Sequence, residues 1–269
     1  MPSPRPAPDR QPVASAHPAF SYSLHVPAAT RSGCPLLVAV HDTTRNARGC
    51  RDAFAAFAGS YGCIVLAPLF PAEVSEPADP DNYKFIARQR LRFDRVLLDM
   101  VAEVARTYPV DAGRFLLHWF SGGAQFVHRF LYLHPERVAA VSVAAPGRVT
   151  PLEFSKSWWA GVADVAEIFG RPVDLAALRA VPVQVLVGGD DTGPVEPGDP
   201  EGDAGATGRN RVQRARLLHA SLARHGVGSR LDVVPGAGHE HAPLLPHAQR
   251  FLAEHLGCAG ARREQSAGC

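Results

Sequence analysis

Lysine is almost missing from this chain. Lys84 and Lys156 are its only two, and arginine supplies the rest of the 28 basic residues. The 26 acidic residues are interspersed among them and the net charge is +2, so neither sign is in excess to attract nucleic acid or an anionic membrane. Cysteine is scarce as well. Cys34, Cys50, Cys63, Cys258 and Cys269 form an odd, scattered set without a C-x-x-C pair, which argues against a disulfide scaffold and against a zinc site. No apolar run approaches the length of a membrane span, and the opening Met-Pro-Ser-Pro-Arg-Pro-Ala-Pro has no signal-peptide core. A soluble protein of the reducing cytoplasm is the expectation. No internal repeat is visible.

What is present suffices for one large core: 269 residues, of which 46% are hydrophobic and 20% charged. Residues 1–18, rich in proline, read as a disordered or loosely attached arm and 257–269 as a frayed tail, leaving 19–256 as a single domain. The alternation of Phe20, Tyr22 and Leu24 predicts a strand within Ala19–Val26, and the unbroken apolar run Pro35–Val40 predicts one buried on both faces. A helix over Arg51–Ala58, ended by Gly59, and a buried strand over Cys63–Leu69 follow. Beyond a proline-rich connection, Phe93, Val96, Leu97, Met100, Val101 and Val104 form one helical stripe. Further strands are expected at Val138–Ala145, Pro182–Val187 and Arg230–Val234, and helices at Arg211–His225 and Leu244–Leu256. This order predicts an α/β fold with a mainly parallel central sheet and helices on both faces.

Two stretches depart from the pattern. Residues 146–180 mix Trp158, Trp159 and Phe169 with polar residues, glycine and proline, and read as a small cap inserted over the sheet. Residues 192–208 have almost no apolar content and read as a surface loop. The acidic Glu196, Asp199, Glu201 and Asp203 within it lack the spacing of a calcium loop.

The segment Phe115–Pro135 organises the rest. Phe115–Phe120 is an apolar run of strand length, and Phe126, Val127, Phe130 and Leu131 define a helical face that Pro135 brings to a stop. Ser121, Gly122, Gly123 and Ala124 lie between them, in a turn tight enough to demand small residues. The serine hydroxyl is thereby left beside free N–H groups at a helix start.

This strand–serine–helix turn resembles the nucleophile elbow of the α/β-hydrolase family, whose pattern is Gly-x-Ser-x-Gly. Here it reads Trp119-Phe120-Ser121-Gly122-Gly123, with tryptophan in place of the first glycine. The resemblance, spanning roughly Ala19 to Leu256, implies an α/β-hydrolase fold and a chain order of serine, acid, histidine. Gly188-Gly189-Asp190-Asp191, after a strand, is similar to the family's acid-bearing turn; Asp191 fits the spacing and Asp190 is the fallback. Val234-Pro235-Gly236-Ala237-Gly238-His239 is similar to its histidine loop, with His241 as rival base. The oxyanion donors implied are the backbone N–H groups of Gly122 and Thr43, the latter in His41-Asp42-Thr43, where Asp42 replaces the family's usual glycine and is expected to turn aside.

Trp119, Trp158 and Trp159 are candidates to line a substrate pocket, with core packing as the alternative. His118, His128 and His134 read as structural. The compact size and the Ser-Gly-Gly elbow are loosely similar to small esterases related to polyhydroxybutyrate depolymerases. The resemblance implies a serine hydrolase of a small-molecule carboxylic ester, needing no cofactor or metal. An amidase, peptidase or acyltransferase with the same triad remains open, as does a binding protein with a disabled site.

Overall fold

A computed structural model of the protein describes residues 12–28, 30–195 and 208–259. Its strands are β1 (Ser21–His25), β2 (Cys34–Ala39), β3 (Ile64–Leu69), a hairpin of β4 (Ala87–Arg88) and β5 (Leu91–Arg92), β6 (Val110–Phe120), β7 (Val138–Ala144), β8 (Val183–Gly188) and β9 (Ser229–Val234). Apart from the hairpin they form one seven-stranded sheet in the order β1-β3-β2-β6-β7-β8-β9. β1 is antiparallel to β3, and every other neighbouring pair is parallel. β7 and β8 are buried along their whole length, which is why they read as mostly Val, Ala and Leu, with Ser142 and Gln184 as their polar members, rather than as an alternating pattern.

The helices are α1 (Ala47–Ala53), α2 (Ala55–Tyr61), α3 (Phe93–Thr107), α4 (Gly122–Leu133), α5 (Val165–Phe169), α6 (Leu175–Arg179), α7 (Arg211–Arg224) and α8 (His241–Glu254). The stripe expected on α3 is the buried one: Phe93, Val96, Leu97, Met100, Val101 and Val104 all face the core. The single helix expected over 51–58 is instead a broken pair. Asn46 caps α1 through Gly49 N, Phe54 interrupts, and the chain runs through Gly59 to end at Gly62, whose φ of 65° is the left-handed conformation that favours glycine. α8 begins at His241, ahead of the expected Leu244, because a proline in the first turn removes an N–H that has no helical partner in any case.

The arm is anchored where it is described, contrary to the sequence expectation. Val13 bridges to Ser21, Ala14 is buried, Ser15 N donates to Glu103 Oε2 at 2.7 Å, and His17 Nε2 lies 2.7 Å from Asp99 Oδ2. Composition could not reveal this, since the partners are carboxylates on a distant helix. Residues 1–11, the acidic positions 196–207 and the tail from 260 lie outside the described residues. Leu256–Ala259 is a 3-10 turn.

The segment 146–180 contains α5 and α6 and is fastened in its first half by two contacts. Trp158 Nε1 donates to Phe85 O at 3.1 Å, and Leu152 N donates to Ser221 Oγ on α7 at 2.8 Å. Among the described residues no helix is long and apolar enough to cross a membrane.

Candidate active site

Ser121 occupies the junction of β6 and α4 with φ 54° and ψ −112°, a conformation that a residue with a side chain rarely takes. Its N–H is fixed by Ala144 O on the adjacent strand at 2.9 Å. Strain of this kind costs about 1–3 kcal/mol and persists where the surroundings over-determine it. The surroundings here are backbone. A Cβ on Gly123 would lie 2.2 Å from Val40 O and 2.8 Å from His41 O, so the first turn of α4 packs directly on the carbonyls that end β2.

Two later loops reach Ser121. His239 Nε2 lies 3.1 Å from Ser121 Oγ, and His239 Nδ1 lies 2.7 Å from Asp191 Oδ2. The loops after β8 and β9 are stitched together: Gly189 N donates to Val234 O at 2.7 Å and Asp190 N to Ala237 O at 2.9 Å. A Cβ on Gly188 would meet Ala237 O at 2.3 Å, which explains a glycine there. Asp191 is buried whereas Asp190 is exposed. Arg211, at the start of α7, places Nη1 3.5 Å from the other oxygen of Asp191.

The loop after β2 is held just as closely. His41 is buried, with Nδ1 2.7 Å from Asp42 O and Nε2 accepting from Phe70 N at 3.0 Å. Nδ1 therefore carries the proton, and burial pushes this histidine from 6.5 down to about 4, which keeps it neutral. Tyr83 Oη donates to His41 O at 3.0 Å. The Asp42 carboxylate turns to its own neighbour, accepting from Thr44 N at 2.8 Å and Thr44 Oγ1 at 2.6 Å. These bonds form a local turn and draw the carboxylate towards Thr44, as expected of a side chain that turns aside. The Thr43 amide nitrogen would lie 3.0 Å from a Cβ on Gly122, so the backbones of Thr43 and Gly122 are adjacent.

Trp119 is 5% exposed and packs against Phe54, His118 and His241, the last at 4.4 Å between ring centroids. This packing is how a bulky side chain is accommodated beside the elbow. The rival base His241 is engaged elsewhere: its Nε2 lies 3.2 Å from Nε2 of His118, whose Nδ1 is 2.9 Å from Ser142 O. His128 and His134 are likewise satisfied, by Ala124 O and Thr150 N and by Asp94 respectively.

Burial pushes His118 from 6.5 down to about 3 and His241 to about 4. An unfolded chain takes up these protons near pH 6.5, so between that value and about pH 4 it binds more protons than the folded protein does. Stability is therefore complete above about pH 6.5 and falls as the pH drops, by up to about 1.4 kcal/mol per pH unit for each such histidine. Urea midpoints measured from pH 7 to 4.5 should fall steadily, and His118→Gln should flatten the slope by about one proton. A level profile would contradict neutral burial.

No family model matches the chain, and no curated protein matches it. Solved structures do. Poly(aspartic acid) hydrolase-1 from Sphingomonas sp. KT-1 superposes with a TM-score of 0.71 over 86% of this chain and 92% of its own, at 23% identity. A poly(3-hydroxybutyrate) depolymerase from Bordetella parapertussis gives 0.66 over 86% and 80%, also at 23% identity. An S-formylglutathione hydrolase from Agrobacterium tumefaciens gives 0.63 over 90% of each chain at 14% identity. The fold is that of the α/β-hydrolases.

In this α/β-hydrolase fold the strand ends gather Ser121, Gly122, Thr43, Asp191 and His239 at one edge of the sheet. Trp158 packs on Phe169 at 4.9 Å and Trp159 on Phe85 at 5.4 Å. Sequence reasoning missed Tyr83, Lys84 and Arg211. Lys84 had one available signal, as one of only two lysines, set in an otherwise loop-like connection.

Proposed function

We propose that this protein is a serine hydrolase of carboxylic esters working through an acyl-enzyme. The observation that carries the reading is the unbroken hydrogen-bonded line from Ser121 Oγ through His239 to Asp191, assembled from three separate strand ends. A serine hydroxyl needs a base within reach to attack a carbonyl, and His239 Nε2 can take that proton and return it to the leaving oxygen. Asp191 holds the ring by Nδ1–H and stabilises the imidazolium that forms. The N–H groups of Gly122 and Thr43 receive the oxyanion, where Ser121 adjoins the start of α4.

The Trp119 and Asp42 departures do not favour a disabled site. One indole is packed away from the serine and one carboxylate is taken up by Thr44. Structural neighbours are named for poly(aspartic acid), poly(3-hydroxybutyrate) and S-formylglutathione. Ester against matched amide is therefore the informative substrate comparison. The buried free thiols Cys34, Cys50 and Cys63 support a cytoplasmic setting, and burial pushes Cys63 up to about 12, away from nucleophilic use.

A fluorophosphonate probe should label the folded protein once, with the adduct on Ser121 by peptide mass mapping. Absence of labelling, or an adduct on another residue, would remove Ser121 from the reaction.

A further inference from the structure

The Thr43 amide, one of the two donors offered to the oxyanion, lies outside every helix and strand of the fold. Thr43 and Thr44 are exposed and form a turn between β2 and α1. A donor that stabilises developing charge must be held in place beforehand, because one that swings with its loop has to reorganise as the charge appears. The direction of a peptide N–H is tied to that of its own carbonyl, since the two are opposite ends of one planar trans unit. The carbonyl that shares a peptide with the Thr43 N–H is that of Asp42. It accepts from His41 Nδ1 at 2.7 Å and from Arg45 N at 3.1 Å.

Arg45 grips the next peptide as well. Its Nη1 donates to Thr43 O at 3.3 Å, its Nε to Phe70 O at 2.9 Å, and its Nη2 to Pro80 O at 3.0 Å and Asp79 O at 3.5 Å. One planar guanidinium thus ties the turn that carries Thr43 to the connection that follows β3. The same cation lies 5.6 Å from the centre of the Tyr83 ring, and Tyr83 Oη closes the clasp on His41 O at 3.0 Å. Gly122 rests against both sides of this clasp: a Cβ on it would meet Tyr83 Oη at 2.8 Å and Thr43 N at 3.0 Å. Arg45 has a φ of 57°, a left-handed conformation that glycine takes freely and arginine does not. Such outliers persist where surrounding contacts hold them, and the guanidinium bonds are contacts of that kind.

We propose that Arg45 is a positioning residue of the oxyanion hole: it staples the turn after β2 to the connection after β3 and so keeps the Thr43 N–H aimed at the oxygen on which charge develops. This deepens the acyl-enzyme reading and rests on Ser121 being the nucleophile. Arg45 touches neither the substrate nor the reacting atoms. Lysine cannot replace it, because a single ammonium lacks the planar fork whose donors diverge to carbonyls on separate loops. The aim of the amide matters most in the transition state, where the carbonyl oxygen becomes an anion, and little in the bound ester.

The test is a pair of inhibitors, pentyl trifluoromethyl ketone and pentyl methyl ketone, measured on wild type, Arg45→Gly and Arg45→Lys. A serine adds to the fluorinated ketone to give a tetrahedral oxyanion, whereas the plain ketone only occupies the pocket. Arg45→Gly removes the side chain yet suits the φ of 57°, so the turn can still close. Wild type should bind the fluorinated ketone about a hundredfold tighter or more. Both variants should narrow that preference by about ten- to a hundredfold, with kcat for p-nitrophenyl butyrate falling in parallel and KM little changed. A ratio of inhibition constants does not depend on how much of a variant is folded, so lost stability alone leaves it where it was. A preference that survives in Arg45→Gly or is restored in Arg45→Lys overturns the proposal, as does a wild type labelled at Ser121 that shows no preference. A wild type with neither the preference nor fluorophosphonate labelling would instead sink the nucleophile itself.

Discussion

Ser121→Ala should lower p-nitrophenyl ester hydrolysis by about 10⁴- to 10⁶-fold, the range found when a nucleophile that acts as a unit with its base is removed. His239 Nε2, 3.1 Å away, would then have no proton to accept from the chain. Folding should be untouched, since alanine inherits the same φ of 54° and the same N–H bond to Ala144 O. The companion variant is Ser121→Gly. It removes the nucleophile equally, but glycine takes positive φ without a Cβ clash, so its urea midpoint should rise by the equivalent of about 1 kcal/mol. Steady-state assays beside denaturation curves separate the two effects. A Ser121→Ala enzyme within tenfold of wild type would refute the mechanism.

Gly123→Ala should be the most damaging small substitution in the fold. Its new methyl would sit 2.2 Å from Val40 O, 2.8 Å from His41 O and 2.8 Å from Trp119 Cβ, none of which is the free end of a flexible side chain. Either α4 lifts from β2 or the loop bearing Thr43 moves, and both disturb the elbow. A loss of about 3 kcal/mol is expected from such overpacking. Gly59→Ala is the control, because it is helical and a Cβ there meets nothing within 4 Å. That change should be neutral or stabilising by up to about 1 kcal/mol. Equal midpoints for the two variants in chemical denaturation would disprove the close approach at Gly123.

Much of the fold was legible because the central strands are buried on both faces and so advertise themselves as short runs dominated by apolar residues, Val, Leu and Ala above all. β2, β3, β7 and β8 all fall within a residue or two of where periodicity put them. The misreadings share a cause. Gly59 resembles a helix stop in sequence, yet the left-handed residue is Gly62, and nothing local separates two glycines so close together. The anchoring of Ser15 to Glu103 and of His17 to Asp99 depends on pairs more than eighty positions apart. At the site, residues with a motif around them could be named: Ser121, Asp191 and His239. Lys84, Arg129 and Arg148 could not, because what relates them is contact between distant segments: Lys84 and Arg148 on Asp81, Arg129 and Arg148 beside the Phe85 and Trp159 rings. Trp119 was legible as a problem but not as a solution, since His241, which covers it, arrives from a remote helix.

The connection that carries Lys84 and the inserted segment after β7 are fastened to each other, by Trp158 Nε1 on Phe85 O and by Arg148 on Asp81. Neither can be exchanged alone. Grafting a foreign loop after β3 would remove these contacts of Arg148 and Trp158, and trimming the insertion would take the same contacts from Asp81 and Phe85. The two segments are therefore coupled, so a library that diversifies residues 81–85 should co-vary 148 and 158–159.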